Sequence, residues 1–265
     1  MRVVHDLSPW LFAVLTIGLF VGAATGGLVL ARGWGRKRGI HALVDNGVVG
    51  WIFSGTLVIY AIAIGLITVE TWGNAAEAAA AASKEAACIA ALHRDLGGYP
   101  QPLQGELRRA LAEYTHYVID VAWPAQRSGT VPAGGSNLLT RFRHAMFAFE
   151  PSTDGQRALH AEALRAFNAL IEARHGRLEA VGLAVPGTLW GIVLAGAVLS
   201  IVGSYVFSME SLGLHAFMTG LLAAMIGLLV FVIATTDRPF QGSTGLGAGA
   251  YEIVLHDEME RAVAP

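Results

Sequence analysis

The chain has 265 residues, of which 54% are hydrophobic and 14% charged, against roughly 25% charged residues in an average soluble domain. Such a composition excludes a single soluble core, and the net charge of −2 gives no indication of a nucleic-acid partner. Cys88 is the single cysteine, which excludes an intrachain disulfide and a metal centre built from four cysteines.

Four apolar runs without charged residues are each long enough to cross a bilayer, which takes about 20 helical residues. The predicted transmembrane helices are residues 7–31, 47–70, 183–207 and 212–236. The first run exceeds the roughly 7–15-residue core of a secretory signal peptide, and basic residues follow it rather than precede it. The sequence therefore predicts an all-α integral membrane protein with four transmembrane helices in two pairs, in chain order.

Glycines recur four residues apart in two of these helices. Gly18, Gly22 and Gly26 share one face of the first, and Gly187 and Gly191 repeat the spacing in the third. Small residues let helix backbones approach closely in a membrane. We expect these glycines to pack inside one subunit; a specific contact between two copies is the alternative.

The connection at residues 32–46 sets the predicted orientation. It is short and contains four basic residues, Arg32, Arg36, Lys37 and Arg38. Short loops rich in Lys and Arg remain cytoplasmic. Both termini and the segment between the second and third helices are then expected outside, in the periplasm of a bacterium whose inner (plasma) membrane holds the chain. Binding of anionic lipid head groups is the alternative role of this loop.

Residues 71–182 predict an extramembrane, antiparallel helical bundle inserted between the second and third transmembrane helices. Residues 75–91 contain eleven alanines in 17 positions, and alanine is the strongest helix former. With no proline in between, this helix can continue directly from the second transmembrane helix. It is expected to stop at Gly97-Gly98-Tyr99-Pro100, a strong break.

Three further helices are predicted in the bundle from apolar residues at helical spacing. These apolar stripes lie within residues 107–121, 139–149 and 164–178. A loop is predicted at 127–137, and Ser152 or Thr153 is expected to cap the last helix. The tail, residues 237–265, contains a short helix from about Tyr251 that we expect to pack on the bundle.

The sequence contains none of the patterns that carry catalysis or cofactor binding. It has no His-Glu-x-x-His pair, no phosphate-binding glycine loop and no nucleophile elbow. We therefore expect no enzyme activity, cofactor or metal. The acidic end around His256 and Asp257 is interpreted as a solvated helix end, because a metal site needs three or four ligands in fixed geometry.

Ionisable residues mark the ends of the predicted transmembrane helices rather than their centres. They are Asp45, Glu70, Glu210 and Asp237. A proton relay would need a deeper carboxylate, whereas a channel can be lined by hydroxyl groups. The candidate pore-lining residues are Ser54, Thr56, Tyr60, Ser200 and Ser204. Hydrogen bonds back to their own helices are the alternative role for these hydroxyls.

Several local sequences together resemble one family. The sharpest is Asp237-Arg238-Pro239-Phe240-Gln241-Gly242. Supporting segments are Pro186-Gly187-Thr188-Leu189-Trp190, Arg174-His175-Gly176-Arg177-Leu178, Glu85-Ala86-Ala87, Leu92-His93-Arg94-Asp95, Glu113-Tyr114 and Trp123-Pro124. Over about residues 48–242 the chain resembles the bacterial bestrophin-like membrane proteins. The resemblance implies an oligomeric anion channel, since bestrophins are pentameric chloride channels with four spans; it also implies a cytoplasmic central segment, opposite to the charge pattern.

The signature at Asp237 supports two interpretations. In the first it only ends the fourth helix: Arg238 reaches the head groups, Pro239 stops the helix, Phe240 anchors at the interface and Gly242 permits a turn. In the second, Asp237 also forms an ion pair with Arg174 or Arg177.

Two functions remain open from the sequence. One is a homo-oligomeric channel for small ions, more plausibly anions, in a lipid bilayer. The other is a non-conducting scaffold or sensor whose outer helical domain binds a partner or ligand.

Overall fold

A computed structural model describes residues 8–38, 45–241 and 245–260, without the side chains of 35–38 and 260. Within these ranges the chain is helical and has no strand, as predicted. The α-helices are α1 Pro9–Arg38, α2 Asn46–Asp95, α3 Leu103–Tyr117, α4 Trp123–Arg127, α5 Gly134–Phe147, α6 Asp154–Val181, α7 Gly187–Ser204, α8 Leu212–Thr236 and α9 Gly249–Val254. A 3-10 turn (Leu96–Gly98) and two π-helical segments (Val118–Ala122 and Leu255–Glu260) follow α2, α3 and α9.

The chain divides into two compact units. We call residues 1–73 with 184–237 the span unit, and residues 74–183 with 238–265 the bundle unit. Helix α2 contributes to both, because it continues without a break past the second predicted transmembrane segment, as expected. Four helices, α1, α2, α7 and α8, are long and apolar enough to cross a membrane.

In the span unit, α1 lies along α8. Gly220 and Gly227 of α8 permit this approach: a Cβ atom at Gly227 would lie 3.2 Å from the Cα atom of Ile17. Ala24 and Leu28 of α1 are also buried. Backbones come this close only where side chains are small.

Two glycines of α7 accommodate aromatic rings of α2. The Tyr60 ring lies directly against Gly196, and a Cβ atom at Gly203 would be 2.8 Å from the Phe53 ring. The Tyr60 hydroxyl also donates to the carbonyl of Val193, at 3.0 Å. The two ring contacts explain why glycine occupies both α7 positions.

The glycines selected from the sequence do not make these contacts. Apart from the backbone of its own helix, a Cβ atom at Gly18, Gly22, Gly26, Gly187 or Gly191 would meet no atom of the described residues within 4 Å. In α1 each of these glycines follows a residue that contacts α8, so the glycines lie about 100° around the helix from that contact. The expectation that these glycines pack within one subunit is therefore wrong; the packed glycines are spaced by seven in α7 and α8.

One hydrophobic core fills the bundle unit, and the predicted stripes supply part of it. Leu107 and Leu111 of α3, Phe142 and Met146 of α5, and Phe167 of α6 are buried. The tail also enters this core, where its residue Tyr251 is fully buried, as expected. At the start of α6 the Thr153 hydroxyl accepts a hydrogen bond from the backbone N–H of Gln156, which confirms the predicted cap.

Candidate functional site

A buried charged network in the bundle unit is centred on Glu85 of α2. Its carboxylate accepts hydrogen bonds from the Tyr114 hydroxyl at 2.5 Å and from the Tyr251 hydroxyl at 3.1 Å. It also accepts from Nε of Arg177, at 2.5 Å. The Glu85 and Arg177 side chains are 0% and 2% exposed, so water does not screen this pair.

The guanidinium of Arg177, on α6, also interacts with two neutral side chains. One terminal nitrogen donates to the side-chain oxygen of Gln126 at 2.7 Å. The guanidinium also lies 5.8 Å from the centre of the Trp123 ring, a cation–π distance. Burial alone would lower the pKa of Arg177, but the adjacent carboxylate raises it above its ordinary value. The arginine is therefore a fixed cation.

The two tyrosines remain neutral donors. Burial first, and the Glu85 carboxylate second, raise the pKa of both Tyr114 and Tyr251 well above 10. The network therefore holds one guanidinium and two protonated hydroxyls around the Glu85 side chain. Such a closed arrangement joins α2, α3, α6 and the tail, and it offers no open position for a permeating ion.

The partners of the signature arginines differ from the predicted ones. Arg177 pairs with Glu85, and Arg174 donates to the hydroxyl of Ser136 at 3.1 Å. No ion pair of Asp237 occurs among the residues the structure describes. The predicted ion pair between Asp237 and one of these arginines is therefore wrong.

Asp237 instead organises the span unit where α8 ends. One carboxylate oxygen accepts from the backbone N–H of Val185 at 2.5 Å, and the other accepts from the indole N–H of Trp190 at 3.3 Å. Val185 lies just before α7, so the carboxylate fixes the entrance to that helix. A donor left without this acceptor would cost about 1–3 kcal/mol.

The residues after Asp237 belong to the bundle unit. Phe240 is 1% exposed and packs edge-to-face on Trp123, with 5.4 Å between ring centres, so the expected anchor at the lipid interface is wrong. The aromatic core offers this ring more contact than the interface would. Arg238 is exposed and donates to Gln241 at 3.2 Å, Pro239 is buried, and Gly242 lies outside the described residues.

The candidate pore-lining residues separate into two groups. Ser54 and Thr56 are exposed on α2, and the Thr56 hydroxyl bonds back to the carbonyl of Ile52 at 3.0 Å. Tyr60 is half-buried against α7, and Ser200 and Ser204 are buried in the span unit. The sequence could not make this separation, because it depends on which face of each helix meets a neighbour.

Ser204 belongs to a buried polar cluster formed by α7 and α8. Its hydroxyl donates to the carbonyl of Ile201 at 2.6 Å and lies 3.4 Å from the hydroxyl of Thr219. Nε2 of His215 lies 2.9 Å from the carbonyl oxygen of Ser204. The hydroxyl of Ser200 has no hydrogen-bond partner within the part of the chain that the structure describes. Local bonding of Ser and Thr hydroxyls, the alternative raised by the sequence, applies to Ser204 and Thr56.

Two polar residues hold the connection between α7 and α8, a role that the sequence analysis assigned to neither of them. Arg32 of α1 donates to the carbonyls of Met209 and Glu210, at 2.6 and 2.8 Å. Asn46 of α2 donates to the carbonyl of Ser208 at 2.7 Å and accepts from its N–H at 2.9 Å. These bonds satisfy backbone groups in a connection that has no helix of its own.

Comparison with known proteins gives a consistent result. The family model of the bestrophin-like domain matches residues 8–250. No curated protein matches the chain. A mutant of a bacterial bestrophin homologue from Klebsiella pneumoniae superimposes with a TM-score of 0.72 at 11% identity, covering 95% of this chain and 99% of that one. Another crystal structure of a homologue from that species gives 0.68 at 13% identity, covering 93% and 98%. At these identities the likeness shows a shared fold.

Proposed function

The chain belongs to the bestrophin-like family, and from that membership we propose that it assembles into a homo-oligomeric channel that conducts anions across a lipid bilayer. The match over residues 8–250 carries the proposal, because it includes all four candidate spans. The superposed structures of bacterial bestrophin homologues, which match over nearly their whole length, support the same fold for the membrane part.

The geometry of the span unit is consistent with a pathway between copies rather than through one chain. Tyr60, Ser200 and Ser204 are engaged in packing between α2, α7 and α8. The exposed face of α2 carries the other two hydroxyl candidates, Ser54 and Thr56. A pore lined by hydroxyls and apolar constrictions needs no buried charge.

Reconstitution of the purified full-length chain tests the proposal. We expect a defined oligomer in detergent. In planar bilayers with different KCl concentrations on the two sides, we expect the reversal potential of the current to shift from zero toward the equilibrium potential of chloride. Replacing Ser54 by Leu should change conductance without changing the oligomer, whereas Ser200→Ala, its buried counterpart, should leave conductance unchanged. An oligomer that passes no current at any voltage would support a non-conducting scaffold or sensor instead.

We also propose the orientation given by the basic connection, in the inner membrane of a bacterial cell, with the termini and the bundle unit periplasmic. In a Cys88→Ala background, a cysteine at exposed position Arg141 should react with a membrane-impermeant maleimide in intact cells. A cysteine at Gly33 should react only after lysis. The reverse pattern would place the bundle unit in the cytoplasm, as in bestrophins.

A further inference from the structure

A groove in the bundle unit, formed by α5 and α6, combines cationic side chains with an apolar floor. Its volume is about 260 Å³. Ser136, Thr140 and Arg143 line it from α5 at spacings of four and three residues, which places them on one helix face. Arg174 and His175 line it from α6. Three basic side chains from two helices thus converge on one small opening.

The floor of the groove is hydrophobic. Leu139 and Phe167 are each 3% exposed, and Phe167 stacks on Phe142 with 5.4 Å between ring centres. The half-buried Ile171 completes this surface. A wholly inorganic anion would leave the apolar floor unused, whereas an organic acid could fill it.

The basic side chains of the groove form no ion pair within the described part of the chain. Its ion pairs include neither Arg143, Arg174 nor His175. Glu172, the nearest acidic residue along α6, does not line the groove and lies 3.8 Å from the amine of Lys84. The groove therefore has a positive charge for a ligand to balance.

Arg174 is the most constrained of these groups. It is 8% exposed, and one of its terminal nitrogens donates to the Ser136 hydroxyl. The same nitrogen lies 3.6 Å from where a Cβ atom of Gly135 would be, beside the first turn of α5. A fixed guanidinium next to a helix amino end suits a carboxylate, which can accept two parallel N–H bonds from arginine.

We propose that this groove binds a small organic acid, with its carboxylate on Arg174 and Arg143 and a compact apolar body on the Phe167 floor. The volume is below the range of roughly 300–1,000 Å³ typical of sites for drug-sized ligands, which restricts the ligand to a small molecule. The proposal does not depend on ion conduction. It assigns the bundle unit a ligand class, and its test measures binding alone.

The test is isothermal titration calorimetry on the full-length protein in detergent, with benzoate as the probe. Benzamide, which has the same shape without the charge, and inorganic phosphate are titrated in parallel. We expect saturable binding of benzoate, at least tenfold weaker binding of benzamide and no saturable binding of phosphate. Equal affinity for benzoate and benzamide, or saturable binding of phosphate alone, would overturn the proposal.

Variants then locate the site. Arg143 is exposed, so Arg143→Gln should fold normally and weaken benzoate binding about tenfold or more, since hydrogen bonds to charged groups are the strong ones. Arg174→Lys keeps the charge but loses the paired donors, and should also weaken binding. Arg141→Gln is the matched control: Arg141 lies on α5, outside the groove, and pairs with Glu113 at 3.0 Å. Unchanged benzoate affinity in Arg143→Gln, or an equal loss in Arg141→Gln, would refute the assignment.

Discussion

Replacing Glu85 by Gln should destabilise the bundle unit strongly. The amide retains one oxygen for three donors, and its NH2 group would face at least one of these donors without accepting a hydrogen bond from it. Arg177 would then remain a buried cation without a counter-charge, because a guanidinium keeps its proton inside proteins. Removing one partner of a buried ion pair costs about 3–5 kcal/mol.

Thermal unfolding of the detergent-solubilised protein measures this effect. For a chain of this size, 3–5 kcal/mol corresponds to a melting point lower by roughly 6–20 °C. The matched control is Glu113→Gln, which breaks the exposed pair with Arg141 and should cost at most about 1 kcal/mol. Adding Arg177→Met to Glu85→Gln should recover part of the loss. A loss in Glu85→Gln no larger than in the control would refute the reasoning.

Three further substitutions test other parts of the structure. Gly196→Ala should lower the melting point because a Cβ atom would overlap an aromatic ring of α2, whereas Gly191→Ala, in open space on the same helix, should not. Burial, and secondarily Arg108, lower the pKa of His93 below 6.5. Around that pH the folded protein therefore binds fewer protons than the unfolded protein, so its stability should fall as the pH drops below about 6.5. Melting curves from pH 7 to 5 should show a smaller pH dependence in His93→Leu. Asp237→Ala leaves a backbone N–H and an indole N–H without their acceptor and should cost about 1–3 kcal/mol, and an unchanged melting point would contradict that role.

The sequence predicted the helices well because local patterns determine them. The apolar stripe through Leu107 and Leu111 requires only helical spacing, and both residues are buried. The cap at Thr153 and the unbroken α2 also follow from neighbouring residues. Hydropathy alone identified four helices long enough to span a membrane.

Partners distant in the chain were not predictable from the same information. Glu85 meets Arg177 across 92 positions and Tyr251 across 166, and no local pattern connects them. Arg177 was selected as a member of a family motif, but the acid assigned to it was Asp237. Asp237 lies at the end of the fourth predicted transmembrane helix, whereas the acid that pairs with Arg177 lies inside α2, toward its C-terminal end.

The packed glycines were also not predictable from their spacing in the sequence. The four-residue repeat at Gly18, Gly22 and Gly26 is the more familiar pattern, yet those positions face open space. The contacts instead use Gly196 and Gly220, whose importance depends on which neighbour lies opposite. Spacing identifies a helix face, but only the packed structure shows whether anything meets that face.

The division of the span-unit hydroxyls has a consequence for conduction. Because Ser200 and Ser204 are enclosed in a single copy, they cannot line a pathway unless α7 and α8 separate. Ser54 and Thr56 are already exposed on α2, but one helix face cannot surround an ion. A pathway using them must be closed by other copies of the chain. Assembly and flux should therefore be lost together, and flux from a demonstrated monomer would exclude the exposed face of α2 as the pore wall.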